Sequence, residues 1–335
     1  MQAAPVDATA FRRDLMRWFR ANGRDLPWRR TRDPYAVLVS EVMLQQTQVA
    51  TVLPYYDRWL QRFPTFAALS DASMDEVLHA WQGLGYYRRA KNLHAAAQVV
   101  CENFGGNFPR DIDVMRSLPG IGKYTAHAIA TFAFGAAVPL VEANTARLMA
   151  RLHDVRLSIE SANGNAALWD AAAALVPKHE AHDHNSALMD FGAIICTART
   201  PGCITCPVKR HCRTTDPASL PIKRARAKTL LLTETHAFIR RQDRVLLRQS
   251  NDRWKGMWIL PPHVDRQTAL LLHESAFPFT HHVVTLRVFP SRRAKFLPTE
   301  RWVRISELHS IAMPSPHRRA VAALLAQPCD TKRAA

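Results

Sequence analysis

Cys196, Cys203, Cys206 and Cys212 follow one another at the spacing C-x6-C-x2-C-x5-C, in a segment that also carries Arg199, Lys209, Arg210 and Arg213. Such a cluster has two common uses, a metal site or a pair of disulfides. Disulfides are disfavoured, because nothing at the N-terminus reads as a secretory signal and no long apolar span occurs. Structural zinc usually takes two short ligand pairs, whereas this segment holds a single C-x2-C. Four thiolates from one compact loop suit a cubane iron–sulfur cluster better, with zinc the alternative that spacing leaves open. Cys101 and Cys329 stand apart; the former sits in an apolar helical stretch and reads as core.

Two carboxylates stand in unusual company. Glu41 lies in Ser40-Glu41-Val42-Met43-Leu44-Gln45-Gln46-Thr47, with apolar neighbours on both sides, on or close to the inward stripe of a helix. A buried carboxylate loses solvation, its pKa rises, and it becomes a proton donor near neutral pH. The bland alternative is a surface or capping glutamate. Gln45 and Gln46 would place amides beside it, able to bond a base edge or to face solvent. Glu142 follows the apolar run Val138–Val141 and opens another helix; it reads either as a plain helix-start residue or as the second carboxylate flanking a glycosidic bond.

The elements that must position these groups are mostly helical in the first half. Phe11, Leu15, Trp18 and Phe19 recur at helical spacing and Gly23 ends that helix; Arg24–Arg30 reads as a basic loop, and Pro34 opens the helix of Glu41, expected to run through Gln45. Trp81–Asn92 interleaves glycines, tyrosines and cations, either a helix C-cap over core aromatics or a stacking and phosphate surface. Leu118-Pro119-Gly120-Ile121-Gly122-Lys123-Tyr124 looks like a helix–hairpin–helix, whose tight turn aims free N–H groups of the next helix at a phosphate. The whole chain of 335 residues carries 45 Lys and Arg against 28 acidic residues, a formal charge of +17. Such a charge calls for a polyanion, and nucleic acid is favoured over a membrane surface.

Together, Glu41 in S-E-V-M-L-Q-Q-T, the G-L-G-Y-Y run, the L-P-G-I-G-K-Y-T-A hairpin and the four cysteines resemble the MutY adenine DNA glycosylases of the helix–hairpin–helix superfamily, relatives of endonuclease III. The resemblance runs from about Leu26 to Cys212 and weakly on to about Leu325. It implies a mainly α fold: a two-lobed helix–hairpin–helix glycosylase domain with a [4Fe-4S] cluster on Cys196, Cys203, Cys206 and Cys212, plus a small α+β Nudix-like C-terminal domain. It also implies removal of adenine mispaired with 8-oxoguanine or guanine, after the base is flipped from the duplex. Glu41 then matches the general acid, Glu142 the group that meets the sugar oxocarbenium, and Tyr124 and Asn144 residues that hold them. Trp28, Arg29, Leu44 and Gln46 match the adenine pocket; Gln45 and Tyr86 match duplex wedges, Thr47 and Leu84 lie near the orphaned base, and Gly120, Gly122 and Lys123 lie on the backbone. Endonuclease III has a Schiff-base lysine where this chain has Tyr124, and Lys123 is one residue early, so monofunctional chemistry is expected. The family's D-G-N is here Glu142-Ala143-Asn144, which puts rate and base preference in question; a thymine-opposite-guanine enzyme and a catalytically weak mismatch-binding protein are the rival readings.

The expected domain plan is 1–213 catalytic, 214–228 a basic linker, 229–327 the Nudix-like domain and 328–335 a tail. Leu230–Ile239, Arg244–Arg248 and His282–Phe289 read as strands, around a turn at Trp254–Pro262. No glutamate-rich helix follows Pro262, where Asp265 and Glu274 are isolated, so pyrophosphate hydrolysis is excluded. Phe279-Thr280-His281 matches the loop by which the family contacts 8-oxoguanine, and an ordinary strand entry is the alternative. A cytoplasmic, nucleoid-associated monomer without membrane contact is expected.

Overall fold

The computed structural model describes residues 6–225, 228–263, 270–279, 281–291 and 297–327. The helices are α1 (Ala8–Asn22), α2 (Pro34–Leu44), α3 (Val49–Arg62), α4 (Phe66–Ser70), α5 (Met74–Ala80), α6 (Arg88–Phe104), α7 (Ile112–Ser117), α8 (Lys123–Phe132), α9 (Ala143–Leu152), α10 (Ala162–Leu175), α11 (Ala181–Ile194) and, after the strands, α12 (Ser315–Ala326). The chain divides into two compact units, one of 1–52, 63–67 and 95–225, the other of 53–62, 68–94 and 226–335.

In the first unit each helix start is marked by its chemistry. The Asp7 side chain accepts the Thr9 and Ala10 N–H groups at the head of α1, and Asp33 caps α2 with Pro34 in its first turn. Helix α2 is buried from Tyr35 to Met43, as a helix apolar all round must be; it ends at Leu44, and Gln45 leaves it with extended backbone, one residue short of expectation. The core is formed by Phe11 and Leu15 of α1, Leu148 and Met149 of α9, Leu168 and Leu175 of α10, and Leu188 and Phe191 of α11. Trp18 meets Phe191 edge to face, with ring centroids 5.0 Å apart. Cys196, Cys206 and Cys212 pack on the rim of this core.

The stretch expected as a linker is docked onto this unit as far as Arg224. Leu220 is buried, its carbonyl accepts from Arg151 Nε at 3.1 Å, Ile159 N–H donates to Ile222 O, and Arg224 N–H to Glu160. An apolar side chain and backbone bonds hold it where basic composition alone suggested a free tether.

The second unit carries the strands β1 (Leu230–Phe238), β2 (Arg240–Arg241), β3 (Arg244–Gln249), β4 (Trp258–Ile259), β5 (His273–Phe279), β6 (His282–Pro290) and β7 (Glu300–Arg304). One sheet runs β1-β6-β5, with β1 parallel to β6 and β5–β6 an antiparallel pair; the other places β3 between β2, β4 and β7. The three expected strands are present, and Gly256, at φ +84°, makes the turn between Trp254 and Trp258 that needs a left-handed residue. Among the described residues no helix is long and apolar enough to cross a membrane.

Because Phe191 is fully buried between α1, α9 and α11, Phe191→Ala is expected to lower stability by about 3–5 kcal/mol in denaturant unfolding.

Candidate active site

Three helices bring the sequence-selected groups to one cavity of about 790 Å³ in the first unit, a size suited to a small ligand or a single base. Helix α2 supplies Glu41, α8 supplies Tyr124, and the N-terminus of α9 supplies Glu142 and Asn144. Trp28, Arg29 and Leu44 line the same cavity, as do Gln45, Gln46 and Thr47 beyond the end of α2. Gln46 takes φ +55°, a left-handed backbone rare for a side-chain-bearing residue and common near binding sites.

Glu41 is 4% exposed, and loss of hydration pushes its carboxyl up to about 7. The Tyr124 hydroxyl donates to it and the Arg29 charge draws the value down, while Glu142 pushes it up. Burial, aided by the two carboxylates, lifts the Tyr124 phenol well above its ordinary range, so it stays a neutral donor. Glu142 is the N-cap of α9: its carboxylate accepts from Asn144 N–H at 2.8 Å and Thr145 N–H at 3.0 Å, and Thr145 returns a bond to the Glu142 backbone. Burial raises its pKa, against those N–H groups and then the Arg147 charge. Burial thus lifts both carboxyls, and at Glu142 the N–H groups of its own helix oppose the lift. An acid and an anion on one cavity wall is the arrangement that cleaves glycosidic bonds.

The hairpin behaves as its sequence implies. Leu118 and Ile121 are buried, Gly120 takes φ +77°, and Gly122 opens α8 without a side-chain cap, so the first N–H groups of that helix are left for another acceptor. Lys123 does not line the cavity; its ammonium lies 3.8 Å from the Trp169 ring centroid, the cation–π contact that holds it there.

Sequence reasoning missed the anchor of Arg29. Fully buried Asp190 of α11 accepts from both guanidinium nitrogens of Arg29 at 2.8 Å and from Nε and Nη2 of Arg24 at 2.8 and 2.6 Å. The signal was available: a lone acid within Leu188-Met189-Asp190-Phe191 is the same anomaly that singled out Glu41. Gly192 was also missed; a Cβ there would lie 2.9 Å from Asn144 Cβ and O, so glycine lets α11 approach the loop of Glu142.

Other expected residues lie elsewhere. Leu84 and Tyr86 belong to the second unit; Leu84 is buried, whereas Tyr86 is 47% exposed. His281 follows β5 and its ring sits 4.0 Å from that of His282; Thr280 lies outside the described residues, as do Asp265 and Cys329. Of the cations in the cysteine segment, Arg199, Lys209 and Arg210 are all exposed, and Arg210 also pairs with buried Asp14 at 2.5 Å.

The four clustered thiols lie within mutual electrostatic reach: Cys206 is pushed up to about 11 by burial and then by Cys196, Cys212 and Cys203. Among the described residues no group of three or more His, Cys, Asp or Glu is drawn together as for a bound metal ion. Four cysteines are the donor type that iron–sulfur clusters take, and Arg151 Nη1 lies 3.4 Å from Cys196 Sγ. Arg147 joins this loop to the cavity, donating to Cys196 O at 2.8 Å and to Asn144 Oδ1 at 2.9 Å.

The sequence profile of the HhH-GPD superfamily of base excision DNA repair proteins matches residues 39–170. The chain is 45% identical over 217 residues to the adenine DNA glycosylase of Rattus norvegicus, which covers 62% of this chain and 42% of the rat protein. It thus spans about two fifths of that relative's length. It is 31% identical over 263 residues to the adenine DNA glycosylase of Buchnera aphidicola subsp. Acyrthosiphon pisum, covering 77% of this chain and 75% of that one. A solved thermostable thymine-DNA glycosylase superposes with a TM-score of 0.55 at 33% identity, over 61% of this chain and 94% of its own. A DNA complex of endonuclease III, at 22% identity and a TM-score of 0.53, shares the fold.

The Glu41 pKa is raised by folding, so its contribution to stability is fully present below about 4.5 and lost as pH rises through about 7. Glu41→Gln escapes that loss. It is expected to melt higher than wild type above pH 7, by about 2–4 kcal/mol, with the difference vanishing toward pH 4.5 in a pH series of unfolding curves.

Proposed function

Since the chain belongs to the HhH-GPD superfamily of base excision DNA repair proteins, we propose that it is a monofunctional glycosylase that removes adenine mispaired with 8-oxoguanine or guanine. The observation that carries this reading is the carboxyl of Glu41, raised to about 7 by burial on a cavity that also holds the helix-capped carboxyl of Glu142.

The chemistry follows from those two groups. A flipped adenine enters the cavity, and unstacking is least costly at a mispair. Glu41 gives its proton to a ring nitrogen, the bond from that base to the sugar carbon breaks, and its electron pair leaves with the base. The positive charge left on the sugar is stabilised by the Glu142 carboxylate, held in place by the N–H groups of Asn144 and Thr145. Water then adds to the sugar carbon and its proton passes to a carboxylate, restoring the pair. Tyr124 keeps Glu41 oriented, and Arg29, fixed by Asp190, closes the wall where the base would sit. Among the described residues no amine lines the cavity to form a Schiff base, and Lys123 is turned onto Trp169.

The supports for the rest are coarser. Cys196, Cys203, Cys206 and Cys212 would hold a [4Fe-4S] cluster, which supplies no acid or base here and fixes the loop bearing exposed Arg199 and Lys209. The sheet region is Nudix-like in this reading, with Phe279 and His281 beside the opposite-strand lesion. Glu142 in place of aspartate, together with the likeness to a thymine-DNA glycosylase, supports one second reading, release of thymine opposite guanine.

Single-turnover base release on a panel of A:8-oxoguanine, A:G and T:G duplexes separates the readings. Adenine release is expected to fall by about 10²–10⁴-fold in Glu41→Gln, and in wild type to decline as pH rises through about 7, where Glu41 loses its proton. Wild-type adenine release no faster than that of Glu41→Gln defeats the proposal, and abundant borohydride trapping of a DNA adduct defeats its monofunctional part.

A further inference from the structure

The turn from Gly83 to Tyr86 in the second unit is held in sparsely populated backbone. Gly83, Gly85 and the non-glycine Tyr86 take φ of +105°, +71° and +47°, and Tyr86 presents its ring 47% exposed. A left-handed residue carrying a large side chain persists only where its surroundings over-determine it. Part of that constraint is local: Trp81 Nε1 donates to Gly85 O at 3.0 Å, and Arg89 Nη2 donates to Leu84 O at 3.1 Å and Gly85 O at 3.3 Å. The Arg89 guanidinium also lies between the Trp81 and Tyr86 rings, 5.2 and 5.6 Å from their centroids.

The remaining constraint comes from the far end of the chain. Gln82, which enters the turn, donates through Nε2 to Met313 O at 3.0 Å, and its Oε1 accepts from Arg318 Nη2 at 3.0 Å, across sequence separations of 231 and 236 residues. Arg318 Nη2 also donates to Ile311 O at 2.7 Å, tying α12 to the segment before it. The Gln82 backbone is held as well, its carbonyl accepting from Tyr55 Oη at 2.9 Å, and a Cβ on Gly83 would run into that hydroxyl. On the other side of the turn, Lys91 Nζ donates to Lys255 O. Both ends of the turn are thus bonded to the C-terminal part of the second unit, and what they hold out is an aromatic ring beside Arg88. An exposed aromatic amid cations stacks on nucleic-acid bases.

We propose that Gln82 and Arg318 are a positioning pair through which α12 holds Tyr86 at the angle needed to enter a base step, so that the C-terminal region sets how readily the duplex opens. The inference rests on the DNA-directed reading above, but it concerns duplex distortion and not bond cleavage. Arg318 touches no base; it acts on Tyr86 through Gln82 and the backbone of the turn.

The test is a double-mutant cycle on the full chain, using duplexes with 2-aminopurine beside the mispair. Fluorescence gain on binding reports base unstacking without chemistry, and single-turnover adenine release is followed in parallel. Arg318→Ala is expected to reduce the fluorescence gain and to slow release about tenfold, with partial recovery in Arg318→Lys. On a Tyr86→Ala background the same change is expected to cost less than about twofold. A purely structural pair would instead lose the same factor on both backgrounds, and that result overturns the proposal, as does an unchanged fluorescence gain in folded Arg318→Ala. Should melting curves show Arg318→Ala unfolded, Gln82→Ala replaces it in the same cycle. A protein that unstacks the duplex yet releases no base leaves this inference standing and removes the glycosylase reading; one that binds no DNA removes both.

Discussion

The cavity depends on keeping the carboxyl of Glu41 out of water. Removing hydration from a carboxylate is costly enough that the group takes up a proton instead, and that proton is what makes the site an acid near neutral pH. Everything that surrounds Glu41 either maintains the dryness or limits its effect. Helix α2 is apolar on all sides, so the carboxyl has no route to solvent except the cavity. Tyr124 donates to it and Arg29 attracts its charged form, which keeps the pKa near 7 and not far above, where the proton would be too tightly held to transfer.

The second carboxyl is also lifted by burial, and local structure opposes that lift. Glu142 sits at the head of α9, where two backbone N–H groups and the positive end of the helix favour its anion. Desolvation lifts both carboxyls, and only at Glu142 do backbone N–H caps oppose it. Glu142 folds back onto its own helix, and Gly192 lets α11 approach Asn144 in the first turn of α9. Asp190 completes the arrangement by taking up the charge of Arg24 and Arg29, which would otherwise stand as uncompensated cations beside Glu41.

The remaining parts serve presentation. The hairpin turn offers helix N–H groups in place of a charged side chain. Arg147 ties the Asn144 loop to the backbone of Cys196, so the cysteine segment and the cavity wall are one hydrogen-bonded piece. In the second unit the bonds from Gln82 to Met313 and Arg318 place a strained turn under the control of residues at the far end of the chain.

Much of this was legible from residue order alone. Caps, periodicity and glycine punctuation placed α1, α2, the hairpin and three strands, because those signals act within a few residues of one another. An acid inside an apolar helix marked Glu41. What the sequence could not carry were the contacts between distant positions. The ion pair of Arg210 with Asp14 of α1 is one of them. Residues 214–224 read as a tether until Leu220 and Glu160 are seen to bind them. The sequence by itself determined which groups could do chemistry, since residue type and local spacing decide that. Only the tertiary structure decided the protonation of Glu41, the anchoring of Arg29 and the docking of Gln82, because desolvation and long-range hydrogen bonds exist only once the chain has folded.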